Sequence, residues 1–103
     1  MAATAPRYAS LLNQANTQVT GDSVAWGGGD GVIECFASNF NGCSVTIQGL
    51  AQDGATWIPL DAVNLVFTAN KRMGFSFPPG FIRAVVTVAN PTALSVNAGA
   101  LVH

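Results

Sequence analysis

Few side chains in this chain could perform catalysis. It has five acidic residues and a single histidine, His103, at the end of the sequence. Nucleophilic catalysis of the Ser-His or Cys-His kind needs a histidine inside the fold, so we expect none. Two carboxylates could act as an acid and a base, but Asp53 suits a turn and Asp61 begins a loop, which gives each a structural role. The residue types predict a protein that is not an enzyme.

Glu34 is the exception among the carboxylates. It lies between Ile33 and Cys35 in a predicted strand, where a buried charge is costly unless it is paired. Arg83, mid-strand in FIRAVV, is the expected partner, and Arg72 is the next choice. We predict a structural ion pair between Glu34 and Arg83, within or between subunits, with a catalytic role for Glu34 as the alternative.

Metal, redox and phosphate chemistry have little support in the sequence. A hairpin turning at Asn41-Gly42 separates the Cα atoms of Cys35 and Cys43 by roughly 10–17 Å. A disulfide needs less than about 7 Å, so we predict two reduced thiols. The GGGDG run offers one acid, Asp30, which is too few ligands for calcium, and no helix pattern follows it to make a phosphate loop. We predict no metal site and no cofactor.

Turn chemistry and short alternating runs define the elements. From Val24 onward the chain breaks every eight to twelve residues, at GGGDG, NFNG, QDG, TANK, PPG and ANPT. Between these breaks, apolar residues alternate with polar ones, as in VTIQ at 45–48, and no window keeps a helical stripe. The pattern predicts an all-β domain, an antiparallel two-sheet β-sandwich that is jelly-roll-like, with about seven or eight strands.

The chain divides into an arm and one domain. Residues 1–20 are small and polar with a weakly helical YASLLNQA, and we predict an N-terminal arm that either is a free tail or docks on a neighbour. Residues 21–103 form the predicted sandwich.

The composition limits the partners. Hydrophobic residues make up 50% and charged residues 9%, with a net charge of −1, so no basic field attracts nucleic acid. A surface so poor in charge favours one that neighbouring subunits cover, although a neutral Thr/Asn-rich exterior is the alternative. No apolar run approaches the roughly 20 residues that span a bilayer, and we expect neither membrane insertion nor a secretory signal.

Two tryptophans are candidate recognition residues. Trp57 follows the Asp53-Gly54 turn, and Trp26 precedes the glycine run. Sugar-binding sandwiches present aromatic faces to sugar rings, so an exposed tryptophan would indicate such a site. Since one of Trp57 and Ile58 must point inward, we predict that Asp53, Gly54 and Trp57 form a structural corner, with Trp57 as a core or corner plug.

Several stretches resemble a small β-sandwich structural protein of tailed bacteriophages. They are VTIQ at 45–48, DGATW at 53–57, PGFIRAVVT at 79–87, and Pro91-Thr92 before the strand at 94–102. The resemblance spans about residues 31–102. It implies a non-enzymatic virion protein, specifically a capsid decoration (cement) protein. The DG-x-x-W element is also similar to that of sugar-binding sandwiches of the discoidin type.

The resemblance implies partners and a location. The expected partner is the major capsid protein, and a homo-oligomer is expected, with a trimer favoured. The location would be the capsid exterior of a virion made in the host bacterial cytoplasm. Candidate contacts are Gly27–Gly31 and the residues Arg7, Tyr8, Leu11, Leu12 and Phe40. The alternatives are a carbohydrate-binding module that aids host adsorption and a minor tail or connector component.

Overall fold

The protein is a sandwich of two antiparallel sheets. A computed structural model of the chain describes residues 8–100, which form nine strands. They are β1 (Tyr8–Ala15), β2 (Val24–Trp26), β3 (Gly29–Phe36), β4 (Ser44–Leu50), β5 (Trp57–Pro59), β6 (Val66–Phe67), β7 (Lys71–Phe77), β8 (Gly80–Thr87) and β9 (Leu94–Ala100). The predicted all-β, two-sheet antiparallel class is confirmed. The eight strands from Val24 onward agree with the predicted seven or eight, and the ninth, β1, lies in the segment predicted as an arm.

The strands pair in a nested order. The first sheet has the order β1-β9-β3-β7, and the second has β2-β8-β4, with β5 and β6 both pairing with the other edge of β4. Thus β1 pairs with β9, β2 with β8, β3 with β7, and β4 with β5 and β6. These pairs are those of one long hairpin, which is then rolled so that β3 meets β9 and β4 meets β8. Jelly rolls wind a chain into two sheets in this manner.

The core lies between the sheets and follows the period-two pattern. In β4 and β8, every second residue is buried, including Ile47, Ile82 and Ala84. Their neighbours Gln48 and Arg83 therefore point away from the core, because successive side chains alternate across a strand. Phe67, contributed by the two-residue β6, is also fully buried.

The segment predicted as an arm differs in the structure. Tyr8–Ala15 is neither helical nor free but forms β1, an edge strand paired with β9. Leu11 is 4% exposed and belongs to the core. Register shifts after Ser10 and Leu12, and a left-handed Gln14 with φ 55°, interrupt the alternation, which is why the sequence shows no strand pattern there. Residues 1–7 lie outside the described part of the chain.

The connection from β1 to β2 is also fixed to the sandwich. The N–H of Val86 donates to the carbonyl of Val19 at 2.8 Å, and the N–H of Gly21 donates to that of Ala84 at 2.8 Å. This segment therefore continues the edge of the second sheet beside β8, and the boundary predicted at residue 20 is not a boundary in the fold.

Asparagine side chains join the loops at one end of the sandwich. Asn41, in the β3–β4 turn, donates to the carbonyl of Asn90 at 3.0 Å and to Oγ1 of Thr92 at 3.2 Å. Asn90 Oδ1 in turn accepts the N–H of Gln18 at 2.9 Å. Part of the neutral, asparagine-rich surface therefore has a role within the chain, independent of any neighbour.

Candidate functional site

The ion pair of Glu34 is with Arg72, and the predicted Glu34–Arg83 pair is wrong. Arg72 Nε lies 2.9 Å from Glu34 Oε2, since the two residues are cross-strand partners in β3 and β7. Arg83 lies in β8 of the other sheet, with its side chain on the opposite outer face of the sandwich. The Arg72 and Glu34 side chains are 75% and 26% exposed, so the charge of Glu34 is not buried as the sequence suggested.

Asp53 and Gly54 form the turn before β5. Asp53 Oδ1 accepts the N–H groups of Ala55 and Thr56 at 2.8 Å, and Oδ2 accepts the Thr56 hydroxyl at 2.6 Å. Gly54 has a left-handed φ of 74°. These hydrogen bonds, that of the Thr56 hydroxyl first, lower the pKa of Asp53 to about 2.

Asp61 has an equivalent role in the loop before β6. Its Oδ1 accepts the N–H groups of Val63 and Asn64 at 2.9 Å, and Oδ2 accepts the Asn64 amide at 3.0 Å. These bonds lower the pKa of Asp61, with the backbone N–H of Asn64 contributing most. Both carboxylates stabilise loops as ionised acceptors.

Trp57 lies on the outer face of the second sheet rather than in the core. It pairs with Leu50 of β4, which points outward, and it is partly exposed. The Arg83 guanidinium carbon lies 4.2 Å from the centre of the Trp57 ring, within the range of a cation–π contact. The prediction of a core plug is wrong for Trp57, although the residue does follow the corner formed by Asp53 and Gly54.

Trp26 is the tryptophan that fills the core. It is 6% exposed, and its ring centre lies 4.8 Å from that of Phe75. Trp26 also packs on Gly31, where an added Cβ would lie 2.6 Å from its Cη2 atom. The indole Nε1 is buried and has no hydrogen-bond partner among residues 8–100, which is a cost that an apolar ring would not carry.

Arg83, Gln48 and Trp57 form one constellation, which we call the Arg83 site. Gln48 and Arg83 are cross-strand partners in β4 and β8, and Arg83 Nε donates to Gln48 Oε1 at 2.8 Å. The hydrogen bond and the contact with the Trp57 ring fix the guanidinium from two sides. The sequence does not bring these three residues together, because only the strand register reveals that they meet on one outer face.

An apolar groove adjoins this site. It has a volume of about 390 Å³ and is lined by Leu50, Ala51, Gln52, Phe77, Pro78, Pro79, Gly80 and Phe81. Phe81 is 46% exposed and lies two residues before Arg83 on the same face of β8. We call this feature the Phe81 groove. Sequence reasoning did not single out Gln48 or Phe81.

The predicted partner contacts are only partly accessible. Leu11 is buried and Leu12 packs against the core, so neither is available in the way an arm residue would be. Phe40 is half-buried against the core, while Gly27 and Gly29 are exposed. Arg7 and the side chain of Tyr8 lie outside the described residues.

The two cysteines are unpaired and buried. Burial, together with the neighbouring Cys43, raises the pKa of Cys35 to about 12, and burial also raises the pKa of Cys43. Within residues 8–100 no cluster of His, Cys, Asp and Glu could hold a metal ion. The same part of the chain contains no helix long and apolar enough to cross a membrane.

Comparison with known proteins identifies the fold. No protein family and no curated protein sequence matches this chain. The fold is similar to the solved crystal structure of the SPBc2 prophage-derived protein YomS, with a TM-score of 0.65 at 9% sequence identity. The likeness covers 97% of this chain and 99% of that one. The two proteins share the same sandwich over nearly their whole lengths.

Proposed function

We propose that this chain is a non-enzymatic structural protein of a bacteriophage particle, and that it decorates the capsid exterior. The observation that carries the proposal is the fold shared, end to end, with a prophage-derived protein. The sequence stretches that resemble tailed-phage sandwich proteins support the same class.

The structure of the chain fits such a role. Almost every described residue belongs to a strand or to a loop tied by side-chain hydrogen bonds, which gives the rigidity that a cement protein needs. Large hydrophobic side chains on the surface, including Ile58 and Val63 at 54% and 80% exposed, are available to neighbours. In this role the protein binds across junctions between copies of the major capsid protein as a homo-oligomer, for which a trimer is the favoured state.

The carboxylates support a non-enzymatic role. Asp53 and Asp61 each accept hydrogen bonds that hold a loop, and Glu34 is paired with Arg72. Acid–base catalysis needs a carboxyl group with a pKa near the working pH, whereas these loop aspartates are shifted in the opposite direction.

Reconstitution tests the decoration role. Particles purified from a phage that lacks this gene are mixed with the purified protein, and unbound protein is removed by sedimentation. The proposal predicts saturable binding and a higher temperature of DNA release. A stoichiometry of a few copies per particle would instead indicate a tail or connector component, and no binding would contradict the proposal.

Carbohydrate binding is the second candidate function. The observation that favours it is the outward position of Trp57, beside Arg83 and the half-exposed Phe81. Aromatic rings and fixed polar groups on one open face are the elements that sugar recognition uses. This function is compatible with a location on a virion surface, where it would aid adsorption to the host.

A further inference from the structure

We propose that the Arg83 site and the Phe81 groove together bind a carboxylated sugar, with the carboxylate on Arg83 and the sugar ring against Phe81. The proposal deepens the second candidate function, carbohydrate binding, by naming the ligand class and the residues. It does not depend on the role of the chain in a virion.

Arg83 presents a fixed and partly unused hydrogen-bonding group. Its Nε is bound to Gln48, and its guanidinium lies over Trp57. An arginine side chain has five N–H donors, and within residues 8–100 the hydrogen bond to Gln48 is the one that Arg83 makes. The Nη groups remain as a planar fork that matches a carboxylate. Because the fork is already ordered, binding costs less side-chain entropy than it would for a mobile arginine.

The comparison with Arg72 separates this site from an ordinary surface cation. Arg72 is the equivalent outward-facing arginine on the first sheet, and it already has a carboxylate partner, Glu34. In the described part of the chain, Arg83 has no carboxylate within ion-pair distance. Its charge is therefore available to an anion from outside.

The Phe81 groove provides the second half of the site. Phe81 and Arg83 are two positions apart and point to the same side of β8, with their Cα atoms about 6.6 Å apart along the strand. The C–H face of a sugar ring would lie on the exposed Phe81 ring, whose face carries the negative part of the aromatic quadrupole.

The charge and the shape together favour a sugar acid. The residues that line the groove are uncharged, so one cation faces the ligand and a singly charged carboxylate balances it, whereas a dianionic phosphate would not be balanced. A glutamate or aspartate side chain of a protein would also suit the fork, but it would leave the groove unfilled. We therefore commit to a glycuronate-type sugar.

Nuclear magnetic resonance can read the site directly, because the chain contains only two tryptophans. The ¹⁵N-labelled protein is titrated with trigalacturonate. We expect the indole N–H signal of Trp57 and the Nε–H signal of Arg83 to shift saturably. The indole signal of the buried Trp26 should stay in place, and it serves as an internal control for the fold.

Variants and probes test each half of the proposal. Removing a hydrogen bond to a charged group costs about 1.5–3 kcal/mol, so Arg83→Gln should weaken binding by about ten- to a hundredfold. Arg83→Lys keeps the charge but loses the fork, and it should also weaken binding. Phe81→Ser changes an exposed residue without disturbing the core and should weaken binding as well. The matched control Arg72→Gln, on the opposite face, should leave binding unchanged.

Four results would overturn the proposal. They are equal shifts with neutral galactotriose, equally tight binding of acetate, binding of acetyl-triglutamate amide but not trigalacturonate, and full binding by Arg83→Gln with an unchanged Trp26 signal. None of them affects the decoration role, which is measured on particles rather than on the isolated protein.

Discussion

Replacing Gly31 by alanine probes how Trp26 packs against the first sheet. A Cβ at Gly31 would lie 2.6 Å from Trp26 Cη2, 2.7 Å from the carbonyl oxygen of Gly99 and 2.8 Å from Phe75 Cε1. All three distances are shorter than side-chain carbons tolerate. The two rings could rotate away, but the Gly99 oxygen belongs to the backbone of β9 and cannot move without disturbing the sheet.

The expected loss follows from the cost of overpacking a core. Such substitutions lower the free energy of unfolding by about 1–3 kcal/mol. Because the Gly99 carbonyl oxygen cannot move aside, we expect a loss of about 2–3 kcal/mol for Gly31→Ala. For a domain of this size, each kcal/mol lowers the melting temperature by about 4–8 °C, so we expect a fall of roughly 10–20 °C. Urea unfolding followed by circular dichroism gives the free energy of unfolding, with an unchanged slope if the unfolded state is unaffected.

Gly74→Ala is the matched control for this experiment. Gly74 lies in β7, the strand next to Gly31, and the nearest atom to its added Cβ is the Gly31 carbonyl oxygen at 3.9 Å. We expect a change within about 0.5 kcal/mol, as for a tolerant surface position. Equal losses for the two variants, or a negligible loss for Gly31→Ala, would refute the packing of Trp26 on Gly31.

Three further predictions test the ion pair, a loop and a turn. A double-mutant cycle between Glu34→Gln and Arg72→Gln should give a coupling free energy of about 0.2–1 kcal/mol, as for an exposed pair. A cycle between Glu34→Gln and Arg83→Gln should give no coupling free energy. Coupling of Glu34 with Arg83 but not with Arg72 would instead support the ion pair that the sequence suggested. Asn41→Gly keeps the left-handed turn but removes the two hydrogen bonds that join the loops, so the free energy of unfolding should fall by about 1 kcal/mol in urea denaturation. Asn41→Ala should lose more, because alanine does not favour the φ of 54° at this position. Equal losses for the two variants would contradict the role of this backbone conformation. The pKa of Asp53 is lowered from 3.8 to about 2 in the folded state, so the ionised carboxylate stabilises the fold fully above pH 3.8, and this stabilisation disappears as the pH falls through 2. The difference in free energy of unfolding between wild type and Asp53→Ala should therefore shrink in acid. A difference that does not change with pH would contradict this role of Asp53.

The fold class could be predicted because alternation and turn residues are local signals. VTIQ at 45–48 and the Asn41-Gly42 turn each report their own conformation. The hairpin predicted at that turn is nevertheless wrong, because β3 and β4 lie in different sheets and do not pair with each other. The edge strand β1 was missed for a physical reason. Its bulges and the left-handed Gln14 shift the register twice within eight residues, so no stretch of the sequence there alternates long enough to be recognised.

The site could not be predicted because it depends on register between distant segments. Arg83 and Gln48 are hydrogen-bonded although they are 35 residues apart along the chain. The local sequence around Arg83 and Arg72 does not show which of the two arginines pairs with Glu34. Trp57 was predicted as a core or corner plug because one of Trp57 and Ile58 must point inward, yet its cross-strand partner Leu50 faces outward. The sequence also does not show why each glycine of the glycine run is needed. Gly28 and Gly29 adopt left-handed φ values of 94° and 96°, whereas Gly31 leaves room for the Trp26 ring.

The copy number of this chain in purified phage particles tests the central proposal most directly. Quantitative mass spectrometry, with labelled peptides of this chain and of the major capsid protein, gives the ratio of the two proteins. A decoration protein is predicted to be present in hundreds of copies, in a fixed ratio to the capsid protein. Absence of the chain from the particles would contradict the account.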